Sequence, residues 1–406
     1  MVAAKAFFRA LLVSLSAAMV LAGLPSAAAP RATVTSPAGV PGDDFELISV
    51  NSNGVPAPGS SVVAISGNGR FVLFGSTADN LPGPDVDYVQ LYVRDRQAGT
   101  TSLVSRNSAG AALDAGATGA AISADGRYVL FNSAAGNLPG PEDEWNIYRR
   151  DRSAGTTTLV SQTTGGEPMG SVAGWGSLSA DGARAVFLSG GGVRLRDIEK
   201  GRTWLLDASD TTGLPVGSEN SAPGVPHISG SGRFVVYEHA AEEPFGGGGT
   251  PCPFCAYVYD HRSRTTRLVD PAIGSGNDWP EDTAISGNGR IVNSHDYSRS
   301  YMTDLTTVMT TPFDRPSPTW AVEMGSERLS RTGRFVAFSA FDGSDQAVFV
   351  HDRLRTTDHV LVDVDALTPG FCERPEISGN GAWIAMTCSL DDGGTHVYVA
   401  HRTANA

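Results

Sequence analysis

Residues 66–106 read SGNGRFVLFGSTADNLPGPDVDYVQLYVRDRQAGTTSLVSR, and residues 123–162 read SADGRYVLFNSAAGNLPGPEDEWNIYRRDRSAGTTTLVSQ. The two stretches align almost residue for residue. Each opens on Ser-x-Asn/Asp-Gly-Arg and runs straight into an apolar segment. The opening recurs at Ser179 (SADGARAVF), Ser229 (SGSGRFVVY), Ser286 (SGNGRIV), Ser330 (SRTGRFVAF) and Ser378 (SGNGAWIAM), which makes seven copies. Their starts lie 44 to 57 residues apart. A period of that size marks an array of small supersecondary units that bury their faces against one another.

The first copy divides into four strands. Val62 to Ser66 is apolar and ends at the turn Gly67-Asn68-Gly69, where glycine and asparagine tolerate positive φ. Phe71 to Ser76 follows, then a loop from Thr77 to Tyr88, then Val89 to Arg94, a turn at Asp95–Gly99, and a last strand from Thr101 to Arg106. Four antiparallel strands repeated seven times predict an all-β fold, a seven-bladed β-propeller of four-stranded antiparallel blades. The seventh copy reaches only a third strand, His396 to Arg402. Its partner is found at the other end of the chain, because Leu47–Gly54 (LISVNSNG) matches Leu103–Gly110 (LVSRNSAG). The N-terminal strand is therefore expected to complete the last blade and close the ring, leaving no unpaired edge there.

The turn Ser-x-[Asn/Asp]-Gly-Arg, the aromatic-rich strand after it and the strand ending in aspartate resemble the TolB-type (PD40, WD40-like) propeller repeat over roughly residues 45–406. The Gly-His and Trp-Asp dipeptides of eukaryotic WD40 repeats are absent. The resemblance implies an exported bacterial repeat protein whose ring serves as a binding platform. TolB carries an α/β domain before its ring, whereas here the short segment Ala29 to Asp44 takes that place.

The first 28 residues have the order of an export signal: Lys5 and Arg9, an apolar run from Leu11 to Leu24, then the small residues Ser26-Ala27-Ala28. The expected organisation is a signal peptide at 1–28, a linker at 29–44 and the propeller at 45–406, with a secreted, extracellular or cell-envelope location. The formal net charge is −13, and removing the leader's two cations leaves −15. That sign disfavours nucleic acid as a partner. No later stretch is long and apolar enough for a membrane span. The mature chain is expected to be a monomer.

Four cysteines in an exported chain read as disulfides. Cys372 and Cys388 stand symmetrically about the turn Gly379-Asn380-Gly381, as Ser378 and Ala382 do, and this register predicts a cross-strand bridge. Cys252 and Cys255 form CPFC. A strand rather than a helix follows, which removes the usual source of a lowered thiol pKa, and no second CxxC completes a zinc site. A local disulfide is the main reading there, with metal binding and free thiols as alternatives.

The aspartates closing the third strand (Asp95, Asp151, Asp197, Asp260, Asp304, Asp352) read as caps on the turn into strand four. The motif arginines (Arg70, Arg127, Arg184, Arg233, Arg290, Arg334) read as structural, lying along neighbouring blades. Recognition is expected on the opposite face, where the two-to-three loops and the connections between blades vary in length. Residues entering the innermost strands there include Trp175, His227, Glu281, Asp282, Glu327, Arg328, Glu373, Arg374 and Glu376, so charge gathers on one half of the channel mouth. They read either as a ligand pocket or as ion pairs that merely line a wide pore. Asp79, Asp85 and Asp87, with Glu142, Asp143 and Glu144 in the next loop, raise calcium as a weak metal expectation.

No nucleophile elbow and no HExxH helix is present. The main functional reading is a secreted, non-enzymatic scaffold that binds a protein, peptide or glycan. The alternative is a metal-dependent lyase or hydrolase acting on polysaccharide, with His227, His239 and His295 as its histidines.

Overall fold

The computed structural model describes residues 45–402, apart from 142–143, 170–171, 208–224, 240–254, 270–282, 296–299, 314–320, 323–327, 342–345, 356, 363–370 and 391–392. Among these residues every regular element is a strand, and the strands form seven antiparallel sheets. Blade one is Ser60–Ile65, Phe71–Ser76, Gln90–Asp95 and Thr100–Leu103, hydrogen-bonded in that order. Blade six departs from four strands, because its inner edge is two short pieces, Ala321–Val322 and Arg328–Leu329, both paired with Phe335–Phe341.

Blade seven runs Phe371–Ile377, Trp383–Ser389 and Thr395–His401, and its outer strand is Phe45–Leu47 from the far end of the chain. Phe45 lies opposite Ala400 and Leu47 opposite Tyr398. The ring is thus closed by the N-terminal strand, as the repeat count requires. The closing strand overlaps the sequence match only at Leu47: beyond it Ile48 and Ser49 both donate to Val397 O, and the chain then turns at Asn51, whose Oδ1 accepts the N–H of Asn53 and of Val55.

The repeat motif follows from local chemistry. In all seven copies the serine Oγ accepts the N–H five residues on, as Ser66 does from Phe71 and Ser378 from Trp383. The Asn or Asp two residues after the serine accepts the next-but-one N–H, as Asn68 does from Arg70. The glycine adopts positive φ, +77° at Gly69 and +74° at Gly126. Antiparallel register then sets Phe71 opposite Asp95, so Arg70 reaches across and donates Nε and Nη2 to both carboxylate oxygens at 2.8 and 2.7 Å. Blades two, four, five and six repeat the pair. These five arginines therefore bond the aspartate of their own blade; Arg184 also reaches its own Asp197, at 3.4 Å, but lies against Gly232 of blade four as well. Antiparallel adjacency, not the ring, decides the partner. The aspartates also cap their turns: Asp95 Oδ1 accepts the N–H of Gln97 and Ala98.

The core sits between the blades, and each of the seven junctions has its own buried cluster. Val72 and Phe74 of blade one pack on Val397 and Val399 of blade seven, while Leu73 faces Val129 and Phe131 of blade two. Alternation along strand two thus serves both neighbours, one face for each. Cys372 and Cys388 lie directly opposite and are bonded, inside the cluster shared by blades six and seven.

Candidate functional site

The two ends of the central channel differ in kind. At the turn end, the second motif residue of one blade meets that of the next. The Gly67 N–H donates to Ala124 O, Ala124 to Ala180 O, Ala180 to Gly230 O and Arg331 to Gly379 O, at 2.8 to 3.0 Å. Asn288 donates to Arg331 O and Asn380 to Gly67 O. Six of the seven junctions are thereby stitched backbone to backbone. Where blades seven and one meet, the approach leaves little room for a side chain: a Cβ on Gly379 would lie 3.2 Å from Gly67 Cα and Gly67 O.

At the loop end the innermost strands carry β-bulges. Register slips between Val62 and Ala64 in blade one, Gly119 and Ala121 in blade two, Ala173 and Gly176 in blade three, and Glu373 and Glu376 in blade seven. Bulges re-aim side chains and recur beside functional sites. Trp175 falls within the blade-three bulge, although its side chain is outside the description. Arg374 falls within the blade-seven bulge, exposed and with φ +53°, a conformation uncommon for a residue other than glycine.

The expected channel-mouth residues are placed as follows. Arg328 starts the lower inner piece of blade six, and its Nε donates to Glu376 Oε1 of blade seven at 2.9 Å. Glu373 lies opposite Thr387, and Arg374 Nε stands 3.8 Å from Glu373 Oε1. Blades six and seven thus bring four of the named residues together as two ion pairs. His227 opens the inner strand of blade four and is half-buried. Glu281, Asp282 and Glu327 lie outside the described residues, as do Cys252, Glu142 and Asp143. His239, His295 and Cys255 are described in backbone only, with His239 opposite Cys255 and His295 opposite Ser300.

Asp79, Asp85 and Asp87 occupy the long loop of blade one and, with Pro58, Thr77, Ala78 and Val86, line an open recess of about 470 Å³. All three carboxylates are exposed. Among the described residues no three His, Cys, Asp or Glu side chains come together as a metal-holding group. The same face carries two exposed apolar side chains that sequence reading passed over, Val89 at 41% and Trp145 at 45% exposure. Aligning the two opening repeats places both at one position, just before the third strand. That alignment was the available signal.

No family model matches the chain, and no curated protein matches it. Solved structures do. An oligogalacturonate lyase in complex with manganese superposes at TM-score 0.59 with 13% identity, covering 91% of this chain and 96% of that one. The β-propeller domain of Cps50 (Swd1) from Myceliophteria thermophila gives 0.55 and 13%, covering 88% and 100%. TolB from Acinetobacter baumannii gives 0.42 and 13%, covering 83% and 81%. At these identities the first two show the propeller fold alone, and fold by itself does not fix function.

Proposed function

We propose that the protein is an exported binding scaffold, a leader at 1–28 and a short linker followed by the ring, which engages a protein, peptide or glycan through its loop-rich face. The observation that carries this reading is the division of labour between the faces. The repeated chemistry of the turn is spent inside the fold, on serine, asparagine and arginine bonds, whereas the carboxylates of the blade-one loop stand exposed around a recess. Sites of recognition are usually concave, with a few convergent polar groups. The ligand this recess suits is cationic, such as a basic peptide segment or an amino sugar, because three carboxylates in one loop attract positive charge.

Two variants assign the face. Asp79→Asn/Asp85→Asn/Asp87→Asn empties the recess of charge, and Glu327→Ala/Arg328→Ala/Arg374→Ala removes charge at the channel mouth. Arrays of lysine-rich peptides and of amino-sugar oligosaccharides are probed with each. Loss of binding in the first variant only places the ligand on blade one, loss in the second only places it at the channel mouth, and binding unaffected by both ends the proposal. Metal analysis of the same preparation tests the polysaccharide-lyase alternative, which requires a stoichiometric metal.

A further inference from the structure

The turn face is not as uniform as its repeat suggests, and the departures cluster. Four residues after the third-strand aspartate, blades one to three carry glycine at positive φ: Gly99 (+66°), Gly155 (+70°) and Gly201 (+64°). Blade four has Arg264 there at +60°, and blade five has Val308 at +55°. The turn itself is unchanged, since Arg264 and Val308 still donate their N–H to the carbonyl of Asp260 and Asp304, as Gly155 does to Asp151. A β-branched residue held left-handed is a strained choice. It is also an exposed one, at 62%.

Two neighbouring positions break the pattern in the same way. The residue after Val308 is Met309, exposed at 63%, where the other described blades have Thr100, Thr156, Arg202 and Thr265. Two residues after the aspartate, blade six has Leu354, exposed at 76%, where the others have Gln97, Ser153, Glu199, Arg262 and Thr306. Three apolar side chains therefore project from two adjacent hairpin tips, at positions that are polar or glycine elsewhere in the ring.

Charge on this sector is positive although the chain carries −13. The aspartates of these turns, Asp260, Asp304 and Asp352, are already matched by Arg233, Arg290 and Arg334. Arg262, Arg264 and Arg331 remain exposed on the same face, beyond those pairs. With a Debye length of about 8 Å at physiological salt, a partner on this face feels these local charges more than the distant acidic loops.

We infer that the turn face of blades four to six docks on an anionic lipid surface, with Val308, Met309 and Leu354 entering the headgroup boundary and the arginines pairing with lipid phosphate. The three apolar side chains stand 62 to 76% exposed on hairpin tips, so they suit a partner that yields around them rather than one with a fixed complementary shape. Apolar side chains flanked by cations are the composition of interfacial membrane anchors. This docking leaves the loop face pointing away from the membrane and is independent of what that face binds.

The test uses the chain from Ala29 onward, which carries all seven blades and the closing strand, and vesicles of equal parts phosphatidylglycerol and phosphatidylcholine. The protein should sediment with these vesicles, less so at high salt, and should not sediment with phosphatidylcholine alone. Val308→Gly/Met309→Thr/Leu354→Gln should lower the partition coefficient by roughly tenfold or more, while the unfolding temperature stays unchanged or rises because the valine strain is removed. Arg262→Gln/Arg264→Gln/Arg331→Gln should abolish the preference for phosphatidylglycerol. The inference is overturned if the native chain ignores anionic vesicles, or if the apolar variant binds them undiminished. It is equally overturned if soluble polyphosphate captures the native and apolar variants alike, which would make the face a polyanion site.

Discussion

Gly99 and Gly126 both adopt positive φ, +66° and +74°, yet a methyl group should cost them unequally. A Cβ on Gly99 meets nothing within 4 Å, whereas one on Gly126 would lie 2.1 Å from the Phe71 ring of the preceding blade. Gly69 meets Trp383 and Gly381 meets Phe335 in the same way. The motif glycine therefore has two tasks, the left-handed turn and a seat for the neighbouring blade's aromatic ring. Gly99→Ala should destabilise by about 1 kcal/mol, the cost of the backbone conformation alone. Gly126→Ala should cost about 3 kcal/mol or more, since displacing a packed ring is added. Urea unfolding of the two variants checks the difference, and equal costs would show that the ring is not seated there.

Between elements, the junction of blades three and four inverts a contact made at the one–two, six–seven and seven–one junctions. At those three an aromatic side chain lies beneath a guanidinium of the next blade: Phe71 lies 4.9 Å beneath Arg152, Phe335 3.8 Å beneath Arg402 and Trp383 3.9 Å beneath Arg96. In blade three the aromatic position holds Arg184, and in blade four the arginine position holds His261, which meets the Trp204 ring edge-on at 4.7 Å. Cation and ring have exchanged sides. Burial pulls the His261 pKa down, and the Arg184 guanidinium adds to this, joined by Arg264 and Lys200 and opposed by Asp197. A histidine whose pKa is lower folded than unfolded favours the neutral form in the fold. Its contribution is complete above the unfolded value of about 6.5 and is lost as pH falls through and below it. The melting temperature should therefore drop between about pH 7 and 5, and His261→Phe should flatten that drop. The double exchange Arg184→Phe/His261→Arg installs the ring-under-guanidinium arrangement of those three junctions and should flatten it too. Asp151, Asp260 and Asp304 belong to a separate window. Their arginine partners hold them at about 2, so their contribution fades only as pH falls from about 4 toward 2.

For the whole molecule, closure rests on a strand of three residues, Phe45–Leu47. Its grip is extended by neighbours: Glu46 accepts Arg96 Nε of blade one at 2.7 Å, and Ser49 Oγ accepts the Val397 N–H at 3.0 Å. Ile48 and Val50 are buried, Ile48 in the cluster shared by blades seven and one. Deleting Phe45–Val50 should lower the melting temperature of the entire ring in one cooperative transition, because it frees an edge strand and opens a junction at once. A deletion variant that melts like the native chain would show that the ring holds without this strand.

The sequence by itself determined the blade count, the strand order, the closing strand and the Cys372–Cys388 register. All four rest on relations within one repeat, or between two copies of it, that spacing alone can express. The serine and asparagine bonds of the turn reach no more than five residues along the chain, so they too were legible. The Arg70–Asp95 pair was within reach as well, since antiparallel register sets Asp95 against Phe71. Arg328–Glu376, Arg184 beside His261, and the turn-to-turn bonds around the channel were not. These partners lie 43 residues apart or more, in different blades, and only closing the ring brings them together. The clustering of Val308, Met309 and Leu354 on one sector likewise needed the tertiary structure. Exposure belongs to the assembled surface, and the same residues within a strand would have read as core.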